Sequence, residues 1–303
     1  MFHEIRVPRD ASCAAAPPRR PQATLAASFE RSGHSLHSGR HATVRVSPAP
    51  SGHGIIFRRR LKDGRCVDVP ALWPYREPQP LSSAIRREGV FVRTIEHLMA
   101  SLSALRIDNA LAEIDADELP IFDGSATPWC QAIRSAGRIE QAAPCRVIRV
   151  RRAVTVECGQ RRLWIEPGPG LHLTGHVALA YFGAIDWSGS LSPETFEREI
   201  APSRSFGRFG RAMAGRAYGC LTRKSFLQGV SPRSAALLVR GRVLGGMRVP
   251  GEPVRHRILD LVGDLALAGH PIEGRITALH TGHELNHALV AALMRDEAAW
   301  DLT

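Results

Sequence analysis

One helical segment restricts the fold more than any other part of this chain. In VRHRILDLVGDLALAG (254–269), apolar residues at helical spacing flank His256, Asp260 and Asp264, which follow one another at i, i+4 and i+8. The chain carries 40 Lys and Arg, so a helix face in solvent should contain Arg or Glu rather than an imidazole and two short carboxylates between aliphatic neighbours. We therefore expect this polar line to face other protein groups. An ordinary solvated face is the alternative.

The remaining sequence alternates between strand-like and helix-like segments. Short alternating stretches between Ala23 and about residue 90 predict strands, and 94–105 predicts a helix with Thr94 as its N-cap. The same order returns after residue 142 and ends in a helix predicted over 283–300. This order predicts an α+β protein of two similar two-layer domains, each a small β-sheet packed on helices. The predicted divisions are a flexible N-terminal tail over 1–22, a first domain over 23–141 and a second over 142–303.

The composition is that of an ordinary folded protein. The 303 residues are 44% hydrophobic and 23% charged, which excludes a disordered chain, a collagen-like repeat and a small disulfide scaffold. The net charge of +11 suits nucleic acid, anionic lipid or a phosphorylated small molecule, but the aromatic-plus-basic signatures of nucleic-acid modules are absent. The N-terminus is charged too early for a signal peptide, and no run approaches 18 apolar residues. We therefore expect a cytoplasmic protein.

The helix pattern suits a divalent metal ion. His and Asp one turn apart offer an imidazole nitrogen and a carboxylate oxygen, which are zinc ligands at about 2.0–2.2 Å. A catalytic zinc also needs a third protein ligand and a base for its water, and Glu96–His97 at the start of the 94–105 helix offers both. Asp264 is placed to orient another group. A Glu–His dipeptide alone is more typical of two residues on the protein surface than of a metal ligand and its base.

A second metal pattern competes with the first. The segment HELNH (283–287) matches HExxH, in which two histidines bind zinc and the intervening glutamate acts as the base of a peptidase. Only 16 residues follow His287, which leaves little room for a third ligand downstream. The alternative is that His287 lies on the exposed side of a helix start.

The chain is similar in four ordered motifs to the UDP-3-O-acyl-N-acetylglucosamine deacetylases, the zinc amidases that commit their substrate to lipid A. The motifs are TIEHLMASLSALRIDN (94–109), ELPIFDGSATPW (118–129), EPVRHRILDLVGDLALAGH (252–270) and TGHELNHAL (281–289). The segments GHSLHSGRHATVRVSPAP (33–50) and GIIFRRR (54–60) fit the opening strands of that family. The resemblance therefore covers about residues 22–293.

The resemblance implies a function and the residues that carry it. The implied zinc ligands are His97, His256 and Asp260. Glu96 would be the general base, His283 would stabilise the oxyanion and protonate the leaving amine, and Asp264 would hold His283. The implied reaction, at an active site between the domains, hydrolyses the N-acetyl amide of the acylated nucleotide sugar to a free amine and acetate. We then expect a monomer that touches the inner-membrane surface transiently and binds no nucleic acid.

The groups that would meet the substrate depart from the family pattern. Ser205 replaces the usual Thr, Phe206 keeps an aromatic wall for an acyl chain, and Arg257 and His280 replace lysines. These four are the predicted substrate-binding residues, and about 203–240 is the predicted substrate-passage insert, with one clear strand at 235–241. Two further alternatives follow, a paralogous deacetylase with another acylated amino sugar and a non-catalytic binding protein.

Overall fold

The computed structural model describes residues 20–61, 63–222 and 224–303. The first half of the chain contains β1 (Pro21–Leu25), β2 (Phe29–His34), β3 (His41–Pro48), β4 (Ile55–Arg60), β5 (Cys66–Pro70), β6 (Arg76–Glu77), β7 (Ala84–Arg87), β8 (Val90–Arg93), α1 (Glu96–Ala104), β9 (Ala110–Ile114), α2 (Thr127–Ala136) and β10 (Arg138–Pro144).

The sheets of the first half follow from alternation in the sequence. In β3, Ala42, Val44 and Val46 are fully buried while the residues between them are not, as expected for a strand with one face on the core. The main sheet has the order β2-β3-β9-β4-β5, with β9 antiparallel to β3 and parallel to β4. A smaller sheet, β6-β7-β8, leads into α1, and β1 pairs with β10.

The second half contains β11 (Ile148–Val150), β12 (Val154–Cys158), β13 (Arg161–Glu166), β14 (Leu171–Leu179), β15 (Gly183–Ser190), the single turn α3 (Pro193–Thr195), β16 (Phe206–Arg208), α4 (Phe209–Thr222), β17 (Ala236–Val239), β18 (Arg242–Val243), α5 (Glu252–Leu265), β19 (Ile272–Leu279), α6 (His283–Arg295) and β20 (Trp300–Leu302).

The second half repeats the plan of sheets packed on helices. Strand β19 pairs antiparallel with β13 and parallel with β11 and β14, and β12, β15 and β20 complete this sheet. A separate sheet has the order β16-β17-β18. One continuous apolar core includes buried side chains from both halves, such as Leu98 of α1 and Leu261 of α5. The α+β class with small sheets packed on helices is confirmed.

No helix in the described ranges is long and apolar enough to cross a membrane.

Two helix boundaries differ from the sequence predictions. Thr94 is not the N-cap of α1, because it has a φ of 59° and its hydroxyl donates to Glu118 Oε1 at 3.3 Å, away from the first helical N–H groups. The predicted helix over 283–300 is too long, because α6 ends at Arg295 and Trp300 begins the short strand β20, which pairs with β11.

The insert contains more regular structure than the sequence suggested. Its strand prediction corresponds to β17, but helix α4 was missed, because glycines within FGRAMAGRAYGCLT lower helix propensity. Two of those glycines have a packing role. A Cβ at Gly215 would lie 2.7 Å from Leu227, and one at Gly219 would overlap the Phe226 carbonyl oxygen. The chain segment after α4 can therefore lie directly against the helix.

Strands β1 and β10 extend across two of the predicted domain divisions. Most of the predicted 1–22 tail lies outside the described residues, and Pro21–Gln22 belong to β1. Strand β10 continues three residues past the predicted end of the first domain at 141 and pairs there with β1, Pro144 with Pro21. The boundary itself stays a prediction.

Two buried helices, one from each half, meet at a glycine. Helices α1 and α5 pack against each other, and a Cβ at Gly263 would overlap the backbone carbonyl of Glu96. Only a residue without a side chain permits this close approach of two helix backbones. Gly263 therefore sets the distance between the residues at the start of α1 and those on α5.

We predict that Gly263→Ala destabilises the protein by about 1–3 kcal/mol, the usual cost of overpacking a well-filled core. Thermal or urea unfolding monitored by circular dichroism measures this loss. The matched control is Gly210→Ala in α4, where a Cβ meets no atom within 4 Å. There the higher helix propensity of Ala should leave stability unchanged or slightly raised. Equal unfolding midpoints for the two variants would contradict the close approach.

Candidate metal centre and active site

Three buried side chains from the two halves converge beside this helix crossing. His97 comes from the first turn of α1, and His256 and Asp260 come from successive turns of α5. One donor atom from each lies within 4.8 Å of the others, and each residue is at most 4% exposed. His256 Nε2 lies 3.3 Å and His97 Nε2 3.9 Å from Asp260 Oδ1. The structure thus brings together the three residues predicted as metal ligands.

The donor set fits a cation. Burial lowers the pKa of both His97 and His256 to about 3, so each imidazole is neutral and keeps a lone pair. His256 Nδ1 lies 3.1 Å from the Ser203 carbonyl, to which it donates when the free lone pair is on Nε2. Asp260 Oδ1 is buried without a hydrogen-bond partner among the described residues. A buried carboxylate oxygen of this kind is stabilised by a metal ion.

Glu96 lies beside this group and is fully enclosed. Burial raises its pKa to about 8, with the nearby His283 opposing the shift. Its Oε2 accepts a hydrogen bond from the Ser83 backbone N–H at 3.0 Å, and its Oε1 lies 3.9 Å from His283 Nε2. Because Ser83 fixes one oxygen, the other is held towards the metal group and His283.

His283, the first residue of α6, is held as a cation. Burial alone would lower its pKa, but Asp264, Asp260 and Glu96 together raise it to about 10. Its Nδ1 lies 3.0 Å from Asp264 Oδ2, and its Nε2 lies 3.9 Å from both Glu96 Oε1 and Asp260 Oδ2. The ring therefore presents an N–H towards the metal group while its other nitrogen is anchored.

Asp264 is the centre of a hydrogen-bond network that the sequence revealed only in part. Although burial opposes ionisation, His287, His283 and the Ser83 hydroxyl keep the pKa of Asp264 below its usual value. The Ser83 hydroxyl donates to Asp264 Oδ1, and Asn286 Nδ2 donates to Oδ2 at 2.8 Å. Ser83 was missed by the sequence reasoning, because no spacing pattern connects a serine before β7 to a helix about 180 residues away.

The HExxH pattern does not form a metal site in this structure. The prediction that His287 lies on an exposed side is wrong, because the residue is 5% exposed and Nε2 lies 2.7 Å from the Ser83 hydroxyl. Since that hydroxyl donates to Asp264, it accepts the proton of His287 Nε2. Glu284, which the pattern would make a base, has a side chain 76% exposed and pairs with Arg161 at 3.7 Å.

A cavity of about 690 Å³ opens onto the metal group. Glu96, His256, Asp260 and His283 line its floor. Much of the remaining wall is apolar, including Leu36, Leu179, Leu227, Val230, Leu237 and Leu238. The cavity therefore joins a polar reaction site to space for a hydrocarbon chain.

The structure places three of the four predicted substrate-binding residues in this cavity. Ser205 Oγ lies 3.2 Å from His256 Nε2, beside the metal group. The Arg257 guanidinium lies over the Phe206 ring, 5.1 Å from its centre, and both residues line the cavity. His280 does not line it, and lies exposed at the end of β19, where its backbone N–H donates to the His176 carbonyl at 2.9 Å.

The fold and this site define a class. Two histidines and an aspartate, with a buried glutamate and a charged histidine at the same cavity, form the donor set and acid–base groups of a metal-dependent hydrolase. Comparison with known proteins identifies the family. The family UDP-3-O-acyl N-acetylglycosamine deacetylase (LpxC) matches residues 22–295, and the chain belongs to this family of deacetylases.

Curated relatives carry the corresponding name. The chain is 36% identical over 285 residues to the UDP-3-O-acyl-N-acetylglucosamine deacetylase of Myxococcus xanthus. The aligned region covers 93% of this chain and 88% of the relative. It is 37% identical over 292 residues to the proteins of the same name from Shewanella sp. strain W3-18-1 and Shewanella baltica strain OS155, covering 93% of this chain and 92% of each relative.

We predict that His256→Ala and Asp260→Ala each lose tightly bound metal, because two remaining donors hold a divalent ion far more weakly than three. The control is His287→Ala, which removes an equally buried histidine from the same region and should retain one metal ion. Metal content after dialysis, measured by inductively coupled plasma mass spectrometry, distinguishes the two. Loss of metal in His287→Ala with retention in both α5 variants would support the HExxH site instead.

Proposed function

We propose that this protein is a zinc-dependent, cytoplasmic deacetylase that hydrolyses the N-acetyl amide of UDP-3-O-acyl-N-acetylglucosamine in lipid A biosynthesis. The observation that carries this proposal is the convergence of His97, His256 and Asp260 at the floor of a largely apolar cavity, with Glu96 and His283 on the same floor. Family membership supplies the substrate class. We propose the monomer as the working form.

The proposed zinc fits the donor set of two imidazole nitrogens and one carboxylate oxygen. Held by these residues, zinc would act as a Lewis acid and supply an activated water. The positive charge next to Glu96 would favour its ionised carboxylate, which is the form that accepts a proton. The Ser83 backbone N–H fixes Glu96 Oε2, so Oε1 is the oxygen available to take the proton.

His283 is the proposed acid. Its Nε2–H faces the metal group, and as an imidazolium it would stabilise negative charge on the amide oxygen and then protonate the leaving amine. Asp264 holds Nδ1 at 3.0 Å, which fixes the ring orientation and supports its positive charge. The Ser205 hydroxyl lies on the same side of the cavity and is a second donor for the amide oxygen.

The cavity wall supports an acylated substrate. The leucine and valine side chains that line it would contact a fatty acyl chain, and the Arg257 guanidinium lies over the Phe206 ring in the same cavity. Arg257 would then meet the diphosphate. Because the exposed His280 lies outside the cavity lining, we do not retain it as a substrate-binding residue.

We predict that Glu96→Gln retains zinc but lowers kcat by about two to four orders of magnitude, the usual contribution of general acid–base catalysis. The measurement is acetate release from the acylated nucleotide sugar at saturating zinc. Glu284→Gln is the matched control, because it changes the glutamate of the HExxH pattern and should leave turnover unaffected. The reverse ranking of the two variants would remove the proposed base and favour a peptidase-like site.

A second prediction concerns the substrate. Arg257→Ala should raise KM for the nucleotide sugar by about tenfold or more, as expected when a charged hydrogen bond is lost, and much less for a sugar lacking the diphosphate. Arg255→Ala is the control on the same helix, since Arg255 pairs with Glu199 at 3.0 Å outside the cavity. Equal effects on both substrates would favour the alternative of a paralogous deacetylase with another acylated amino sugar.

A further inference from the structure

The positive charge of this protein is concentrated in one stretch. Residues 200–251 contain ten Arg or Lys and no Asp or Glu, which gives this stretch a formal charge of +10. The formal net charge of the whole chain is +11. Within the described ranges, the ion pairs of this stretch involve Arg204 with Glu252 and Arg248 with Asp123. Arg208, Arg240 and Arg242 are exposed and form no ion pair with a carboxylate of the described residues.

Part of this charge surrounds the cavity entrance. Arg208 and Arg240 are exposed and line the cavity, as do two exposed aromatic residues, Tyr181 at 82% and Phe209 at 42%. The turn that precedes β18 lies against Tyr181, because a Cβ at Gly241 would be 2.8 Å from the Tyr181 carbonyl oxygen. This contact places exposed Arg242 next to the same edge. We call Tyr181, Arg208, Phe209, Arg240 and Arg242 the mouth surface.

We propose that the mouth surface docks the protein on an anionic lipid bilayer, with the cavity entrance facing the membrane. Tyrosine and other aromatic rings favour the headgroup level of a bilayer, and arginines near it are attracted by anionic headgroups. The mouth surface combines both around an apolar cavity. A soluble diphosphate would engage one or two arginines and would leave the exposed rings unexplained. Only the identity of the molecule entering the cavity rests on the proposed function.

Vesicle binding tests this proposal without turnover. The full-length protein and its Glu96→Gln variant are sedimented with vesicles of phosphatidylglycerol and phosphatidylcholine, and with vesicles of phosphatidylcholine alone. Both proteins should bind the anionic vesicles, release them as salt is raised, and remain unbound with neutral vesicles. Failure of the proposed deacetylase activity would leave this result unchanged. Absence of binding to anionic vesicles at low salt would overturn the proposal.

Charge reversal locates the surface. Each basic charge near an anionic membrane contributes roughly fivefold in affinity, so Arg242→Glu should weaken vesicle binding by more than about tenfold. The control is Arg60→Glu, an identical charge change at an exposed residue at the end of β4. Thermal midpoints of both variants confirm folding. Equal weakening by both variants would overturn the assignment of this surface, as would preferential binding of single-stranded RNA over anionic vesicles.

Tyr181→Ser tests the aromatic part independently, because it leaves the charge unchanged. It should weaken binding to anionic vesicles at the low salt concentration at which the unaltered protein binds them. Unchanged binding under those conditions would reduce the contact to charge alone and contradict the docking geometry.

Discussion

The candidate site depends on the contact between two helix backbones at Gly263. The residues that α1 and α5 contribute are short or medium-length side chains, and they meet only because the Glu96 carbonyl lies against a residue without a Cβ. His97 is thereby brought close enough to His256 and Asp260 for one donor atom from each residue to lie within 4.8 Å of the others. The apolar core around the crossing joins the halves, so the geometry of the site is set by core packing rather than by loops.

Charge balance explains why these groups are buried together. Glu96, Asp260 and Asp264 are three enclosed carboxyl groups, and His283 is the one histidine among them whose pKa is raised. Burial raises the pKa values of Glu96 and Asp260, as expected where too few positive charges lie nearby to balance the carboxylates. The pKa of Asp264 is lowered instead, because neighbouring groups donate hydrogen bonds to it. A divalent cation held by the neutral histidines would supply the missing charge.

The sequence predicted the part of the site that follows from helical periodicity. The spacing of His256, Asp260 and Asp264 placed them on one face, and the strand and helix order indicated the α+β class. It could not predict Ser83, whose contacts with Glu96 and Asp264 arise only from tertiary packing. Thr94 was assigned as a cap from local preference alone, but a long-range bond to Glu118 decides its conformation.

The origin of the metal ligands in two distant segments has a consequence for what a bound ion would stabilise. His97 and His256 are separated by about 160 residues of chain, so closing the loop between them carries an entropic cost that local helix formation does not repay. The three donors lie together where α1 and α5 pack against each other. A bound ion would therefore stabilise the chain with α1 and α5 in contact selectively over any form in which they are apart.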